Sequence, residues 1–165
     1  MHYIDVKDNF LSPYQFKSLQ TMLMGDEFPW FFQDGIVEKT FHNYQYTHTF
    51  YNERGLNSDF FSLIQPLLSK LEFKTLCRIK ANSIRRTLFR RKNGYHTDYV
   101  PPLPNTKTAI FYLNTNNGGT QFKNIGKVKS IENRMVIFDG GIEHQGITCT
   151  NQKRRVVINF NFYQL

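Results

Sequence analysis

The sequence predicts an α+β protein dominated by β-structure, and three observations carry that expectation. Sixteen Phe and nine Tyr, with many Val and Ile, suit the pleated, half-buried surface of a sheet better than a helix bundle. From Phe73 onward the chain divides into short β-type segments separated by Gly, Asn and Pro. Helical periodicity is confined to two stretches ahead of Phe73. Short strands with frequent turns argue for a barrel or sandwich, with the two helices covering one outer face. The 165 residues fit one domain, 1–165, and no internal repeat or low-complexity linker divides it. Residues 1–72 then supply helical support and a hairpin flap, and residues 73–165 the β core.

The elements follow from local chemistry. In "NFLSPYQFKSLQTMLM", Ser12 is the N-cap, Pro13 suits the first helical position, and Phe16, Leu19, Met22 and Leu23 recur at helical spacing. "WFFQDGIVEKTFHNYQYTHTFYNERG" reads as a hairpin or flap. It turns at Asp34-Gly35 and alternates through His42, Tyr44, Tyr46 and His48. "NSDFFSLIQPLLSKL" reads as a second helix, capped at Ser58 or Asn57 and kinked or restarted near Pro66. The β-type segments are "TLCRIKANSI", "TLFRR", "TAIFYLN", "TQFKN", "KVKSI", "RMVIFD" and "RRVVINFNFY".

Composition narrows the function. With 21 basic against 13 acidic residues the formal charge is +8, which suggests an anionic substrate, an acidic partner or nucleic acid without choosing among them. Cys77 and Cys149 are too few for a disulfide framework and form no Cys-x-x-Cys pair, so both read as reduced and structural. The N-terminal stretch has no basic region followed by an apolar run, and no segment is long and apolar enough to span a bilayer. The expectation is a soluble, intracellular protein without membrane association.

"NGYHTDYVPP", residues 93–102, is where chemistry enters. On a strand, His96 and Asp98 would point to the same side and converge on one point, for which a metal ion is the usual reason. "FDGGIEHQG" supplies His144 just past the strand "RMVIF". Two histidines and a carboxylate on one face of an octahedron leave three positions open, the pattern suited to non-haem Fe(II) oxygen chemistry. Zinc competes for such a set but more often recruits a further His or Cys. Taken singly, His144 reads first as a loop histidine capping the strand end. His2, His42 and His48 have no carboxylate at a matching spacing and read as surface or packing residues.

"RRVVINFNFY" sends two adjacent arginines to opposite faces. Arg154, Val156, Ile158, Phe160 and Phe162 share a face suited to packing against helices. Arg155, Val157, Asn159 and Asn161 form the polar face, suited to a wet interior where Arg155 pairs bidentately with a carboxylate. The competing reading is an edge-strand arginine in solvent.

Together these segments resemble the 2-oxoglutarate- and Fe(II)-dependent oxygenases, in particular the prolyl-hydroxylase-like branch and the small oxygenases of phages of marine cyanobacteria. The resemblance runs from about Phe73 to Phe162 through "RIKAN", "YHTDYVPP", "KTAIFYLNTNNGGTQF", "NRMVIFDGGIEHQG" and "RRVVINFNF", and "DNFLSPYQF" resembles that branch's opening helix. It implies a double-stranded β-helix, a distorted jelly roll (cupin-like) with helices on one face. It implies iron on His96, Asp98 and His144, and the distal carboxylate of the cosubstrate 2-oxoglutarate on Arg155. Tyr112 would donate a hydrogen bond to that carboxylate, or else be an interior aromatic satisfied by a neighbour. Many prolyl hydroxylases carry Lys at the anchor position; here Arg154 and Arg155 both fall in range and only the strand face favours Arg155. The implied chemistry consumes O2 and 2-oxoglutarate, releases succinate and carbon dioxide, and hydroxylates an unactivated C–H bond. For a phage protein the compartment is the host cytoplasm.

The substrate is open at this level. The flap from Trp30 to Tyr51, with Tyr99 and the turn at Pro101–Pro102, is expected to border the entrance. Residues Lys74 to Lys92 carry many Lys and Arg and no acid, a stripe that suits a solvated face, an acidic protein or nucleic acid. A protein or peptide hydroxylase, prolyl by family branch, is the leading expectation. An oxidative nucleic-acid demethylase of the same superfold is the alternative, and a non-catalytic metal-binding jelly-roll module the third.

Overall fold

The alternation of side chains along two neighbouring strands sets the layers of this molecule. In the computed structural model, which describes residues 4–37, 43–99 and 102–164, the two strands are β6 (Thr106–Tyr112) and β11 (Arg154–Tyr163), paired antiparallel with Val157 opposite Tyr112. Ala109, Phe111, Val156, Ile158 and Phe160 face outward, where they pack with Phe16, Leu19 and Leu23 of helix α1 (Pro13–Met24). Ile110, Tyr112 and Val157 face inward, where they pack with Val136, Phe138 and Phe122. Full burial of each such large apolar side chain contributes roughly 1.5–3 kcal/mol.

Around this pair lies a sheet with β1 (Ile4–Lys7), β9 (Arg134–Asp139), β6, β11, β5 (Thr75–Arg85), β3 (Tyr44–Asn52) and β2 (Phe31–Asp34) in that spatial order, and β4 (Gly55–Leu56) on β3. A second sheet places β10 (His144–Ile147), β7 (Gly119–Phe122) and β8 (Gly126–Lys129) side by side. All these pairs are antiparallel. The inward cluster joins the sheets through Phe122 of β7, and the arrangement is the jelly roll, or double-stranded β-helix, with α1 on one outer face. No helix among the described residues is long and apolar enough to cross a membrane.

Helix α1 forms as its sequence dictates. The Ser12 hydroxyl accepts from the Gln15 N–H, the Gln15 side chain accepts from the Ser12 N–H, and Pro13 fills a position whose own N–H needs no partner. Met22 departs from the expected apolar stripe and is exposed. The second helix departs further. Ser58 caps a 3₁₀ segment, Asp59–Ile64, and a short α2 (Gln65–Leu68) restarts behind it. Pro66 has no N–H to give to the Ser62 carbonyl and its ring crowds that group, so a continuous α-helix cannot pass. The Gln65 N–H takes the Ser62 carbonyl instead.

The flap is a hairpin of β2 and β3, but not a tight one. Asp34 pairs with Tyr44, so the connection spans residues 35–43, and Gly35 at φ 86° ends β2. His2, His42 and Pro101 lie outside the described residues. "TLFRR" is not a strand: β5 stops at Arg85, and Leu88 and Phe89 are exposed. Strand propensity reflects packing, and these two side chains are left exposed rather than buried against a sheet. Strands β1 and β10 are additions the sequence reading did not contain.

Candidate metal centre

Three side chains converge at the mouth of the jelly roll. One ligand atom each of His96, Asp98 and His144 lies within 4.8 Å of the other two. The convergence does not arise from a shared strand face, because residues 97–99 form no strand. Instead His96 makes an isolated antiparallel bridge with His144, the first residue of β10, with reciprocal N–H···O bonds of 3.0 Å. The chain then bends, and Asp98 is held from the opposite sheet.

The ligand atoms are prepared by their neighbours. His96 Nδ1 lies 3.2 Å from the Gly94 carbonyl and His144 Nδ1 3.1 Å from the Ile142 carbonyl. A carbonyl only accepts, so both Nδ1 atoms carry the proton and both Nε2 lone pairs are free for a metal. Burial pushes the His144 pKa down, with His96 adding to it against the opposing pull of Asp98, so the neutral ligand form is favoured.

Asp98 Oδ1 accepts from Arg78 Nη2 at 3.0 Å; Oδ2 accepts from Thr108 Oγ1 at 3.0 Å and Asn161 Nδ2 at 2.8 Å. Burial alone would raise its pKa, but His144, Arg78, Asn161 and Thr108 outweigh burial and hold the carboxylate below its ordinary range. A carboxylate offers about four lone-pair sites, and three are taken. One remains, which suits a single bond to a metal. Two imidazoles and one carboxylate fit a six-coordinate ion with open positions better than a closed zinc site.

Arg155 stands across the same cavity. It is 3% exposed, its Nη2 donates to Thr120 Oγ1 at 3.2 Å, and its Nε has no partner. No carboxylate pairs with it among the described residues. Gly118 makes room for it: a Cβ there would sit 3.2 Å from Arg155 Cδ and 2.5 Å from the Ile147 carbonyl oxygen. Arg154 points the other way, donating to the Met24 carbonyl at 2.8 Å with its guanidinium 5.6 Å from the Trp30 ring. Tyr112 is fully buried behind the cavity wall. Its hydroxyl donates to Thr120 Oγ1 at 2.7 Å, and burial raises its pKa, so it stays a phenol.

Sequence reasoning missed Thr120, which receives both Tyr112 and Arg155 and faces the cavity. It also counted Arg78 and Lys80 in a surface stripe. The strand period of "RIKAN" was the available signal, because Arg78, Lys80 and Asn82 share one face of β5 and all line the cavity. The rest of the stripe divides as well. The Arg85 guanidinium stacks 4.7 Å from the Tyr44 ring, and Arg86, Arg90, Arg91 and Lys92 are exposed beside Leu88 and Phe89.

No protein-family model and no curated protein matches this chain. Solved structures do: the chain has the fold of the 2-oxoglutarate- and Fe(II)-dependent oxygenases, prolyl hydroxylases among them. One is the prolyl hydroxylase of Trichoplax adhaerens in complex with a hypoxia inducible factor peptide, with TM-score 0.66, 14% identity, and 98% of this chain and 83% of that one covered. The viral collagen prolyl hydroxylase of Paramecium bursaria Chlorella virus-1 gives 0.58 at 15% identity, over 99% and 90%. A non-haem α-ketoglutarate-dependent carbocyclase of nogalamycin biosynthesis gives 0.71 at 10% identity, over 99% and 80%.

Proposed function

We propose that this chain is an Fe(II)- and 2-oxoglutarate-dependent dioxygenase that hydroxylates an unactivated C–H bond of a protein or peptide residue, with proline the first candidate. The observation that carries the reading is the pairing, in one cavity, of a two-histidine, one-carboxylate cluster with a buried arginine that has no anion of its own. A lone buried guanidinium is costly, and a bound carboxylate offsets that cost.

In this reading His96, Asp98 and His144 hold the iron, and Arg155 holds the distal carboxylate of 2-oxoglutarate. Iron with 2-oxoglutarate and O2 supplies the oxidant, with succinate and carbon dioxide as coproducts. Thr120, kept in place by Tyr112, turns its own hydroxyl proton toward the cosubstrate. Ile84, Ile110 and Val157 form an apolar wall that limits water at the centre. Arg78, Thr108 and Asn161 fix the Asp98 carboxylate in its ionised, single-bond orientation.

Two features support a peptide: the likeness to prolyl hydroxylases, and a flap that exposes Phe31, Phe32 and Tyr46. The likeness to a viral enzyme agrees with a phage-borne protein working in host cytoplasm. Nucleic acid is the second reading, favoured by the exposed Arg86, Arg90, Arg91 and Lys92. Succinate release above the uncoupled background, measured with panels of peptides and oligonucleotides, tests the choice. Peptide-stimulated turnover is expected. Turnover driven by oligonucleotides, with binding that falls at a log–log salt slope of about −0.9 per phosphate contact on duplex DNA, would replace the peptide reading.

A further inference from the structure

The cavity holds a cation that neither the metal cluster nor the cosubstrate anchor uses. Arg78 is committed to Asp98 and Asn161, through bonds of 3.0 and 3.1 Å. Lys80 is half-buried on the same cavity-facing side of β5 and makes no hydrogen bond or ion pair among the described residues. Directly opposite it on β11 is Asn159, another cavity residue. Among the described residues the Asn159 carboxamide forms no hydrogen bond either, and its Oδ1 is buried.

Charge bookkeeping sharpens the point. Among the described residues, Arg78, Lys80 and Arg155 line the cavity with Asp98 as the one acidic group. Adding a dication and the dianion 2-oxoglutarate leaves that positive surplus unchanged. An ammonium held partly away from water favours an anionic neighbour.

We infer that Lys80 and Asn159 form a subsite for a carboxylate carried by the substrate, close to the carbon that is hydroxylated; the inference rests on the iron and 2-oxoglutarate reading above. An ammonium beside a carboxamide, which turns either end toward a ligand, matches the two oxygens of one carboxylate. An acidic peptide side chain and a free small acid present the same group. The substrate is therefore an acid, or a peptide with an acidic residue at or beside the modified position.

The test is anaerobic calorimetry on protein loaded with Fe(II) and 2-oxoglutarate, with two probe sets. One comprises N-acetylated, C-amidated tripeptides centred on Asp or Glu against their Asn or Gln counterparts. The other comprises butyrate and 3-phenylpropionate against their primary amides. In at least one set the acid is expected to bind about tenfold or more tighter than the amide, the size of a charge-assisted contact. The set that discriminates identifies the source. Lys80→Met and Asn159→Asp should each abolish the preference, and Lys80→Arg should retain most of it. Affinity for 2-oxoglutarate should stay within about threefold of wild type, under 1 kcal/mol. Equal binding of acids and amides by wild type, or binding of neither, overturns the subsite. So does a loss of 2-oxoglutarate affinity in Lys80→Met as large as that in Arg155→Ala, which would make Lys80 a cosubstrate anchor. A wild type that takes up neither Fe(II) nor 2-oxoglutarate overturns the functional reading, and the subsite with it.

Discussion

Arg78 Nη2 donates to Asp98 Oδ1 across 3.0 Å, while its Nε donates to Asn161, whose amide donates back to the other Asp98 oxygen. The three side chains close a ring that orients the carboxylate before any metal arrives. Arg78→Met should therefore weaken Fe(II) binding by about 10–100-fold, the range for losing a residue that orients a metal ligand. Competition titration with a chelator, with the fold checked by circular dichroism, measures this. Unchanged affinity would mean that Thr108 and Asn161 orient Asp98 without help.

Adjacent arginines should behave differently. Arg155→Ala is expected to cost about 2–5 kcal/mol of 2-oxoglutarate affinity, which is well over tenfold. Arg154→Ala should leave cosubstrate binding alone and lower stability instead, through the lost bond to the Met24 carbonyl and the lost contact with Trp30. Calorimetry and urea unfolding on both variants separate the two effects, and the reverse order would contradict the face assignment.

Thr120→Val keeps the shape of the side chain but removes the oxygen that accepts from Tyr112 and Arg155. It leaves the buried Tyr112 O–H without its acceptor, a loss of about 1–3 kcal/mol in unfolding free energy. Thr120→Ser should restore most of it. A neutral Thr120→Val would show that the hydroxyl is dispensable.

Much of this architecture was legible from local pattern. Strands β9 and β11 have the limits read from the sequence because Arg134–Asp139 and Arg154–Tyr163 are strongly β-forming runs bounded by turn residues, with Asn133 at φ 58° ahead of β9. The division of β11 into a helix-facing and a cavity-facing side follows from period two alone. Long-range pairing was less legible. "TLFRR" has strand-like composition but bonds to residues 148–149 only at its ends, through Thr87 and Arg91, and β1 and β10 exist because β9 and β7 offer them edges. His96 and Asp98 were singled out by a shared-face argument, whereas they meet through the His96–His144 bridge and the ring around Arg78. Tyr112 reads either as a donor to the cosubstrate or as an interior aromatic satisfied by a neighbour, and its hydroxyl donates to Thr120. Single-sequence spacing holds no record of such contacts between distant segments.

His48 predicts a pH response. Its Nδ1 donates to the Pro29 carbonyl at 2.8 Å and its Nε2 accepts from the Ser58 hydroxyl at 2.7 Å, so the neutral ring pins the flap to the 3₁₀ segment. Burial lowers its pKa from 6.5, against the raising effect of the Pro29 carbonyl. A histidine depressed on folding contributes stability that is present above the unfolded value and lost as pH falls through the folded one. Metal-free protein should lose stability in urea as pH drops below about 6.5. His48→Gln should flatten part of that slope, and His144, which shifts the same way, contributes to the rest. An unchanged slope in His48→Gln would remove His48 from the account.

In the proposed function His96, Asp98 and His144 hold one Fe(II) while Arg155 seats 2-oxoglutarate beside it. Anaerobic titration of 2-oxoglutarate into Fe(II)-reconstituted protein, followed by visible absorption, tests it most directly. Wild type should develop a weak metal-to-ligand band that saturates at one equivalent. His144→Ala should show none, and Arg155→Ala should saturate only at concentrations more than about tenfold higher. A band of wild-type affinity in His144→Ala, or no band in wild type, would contradict the assignment.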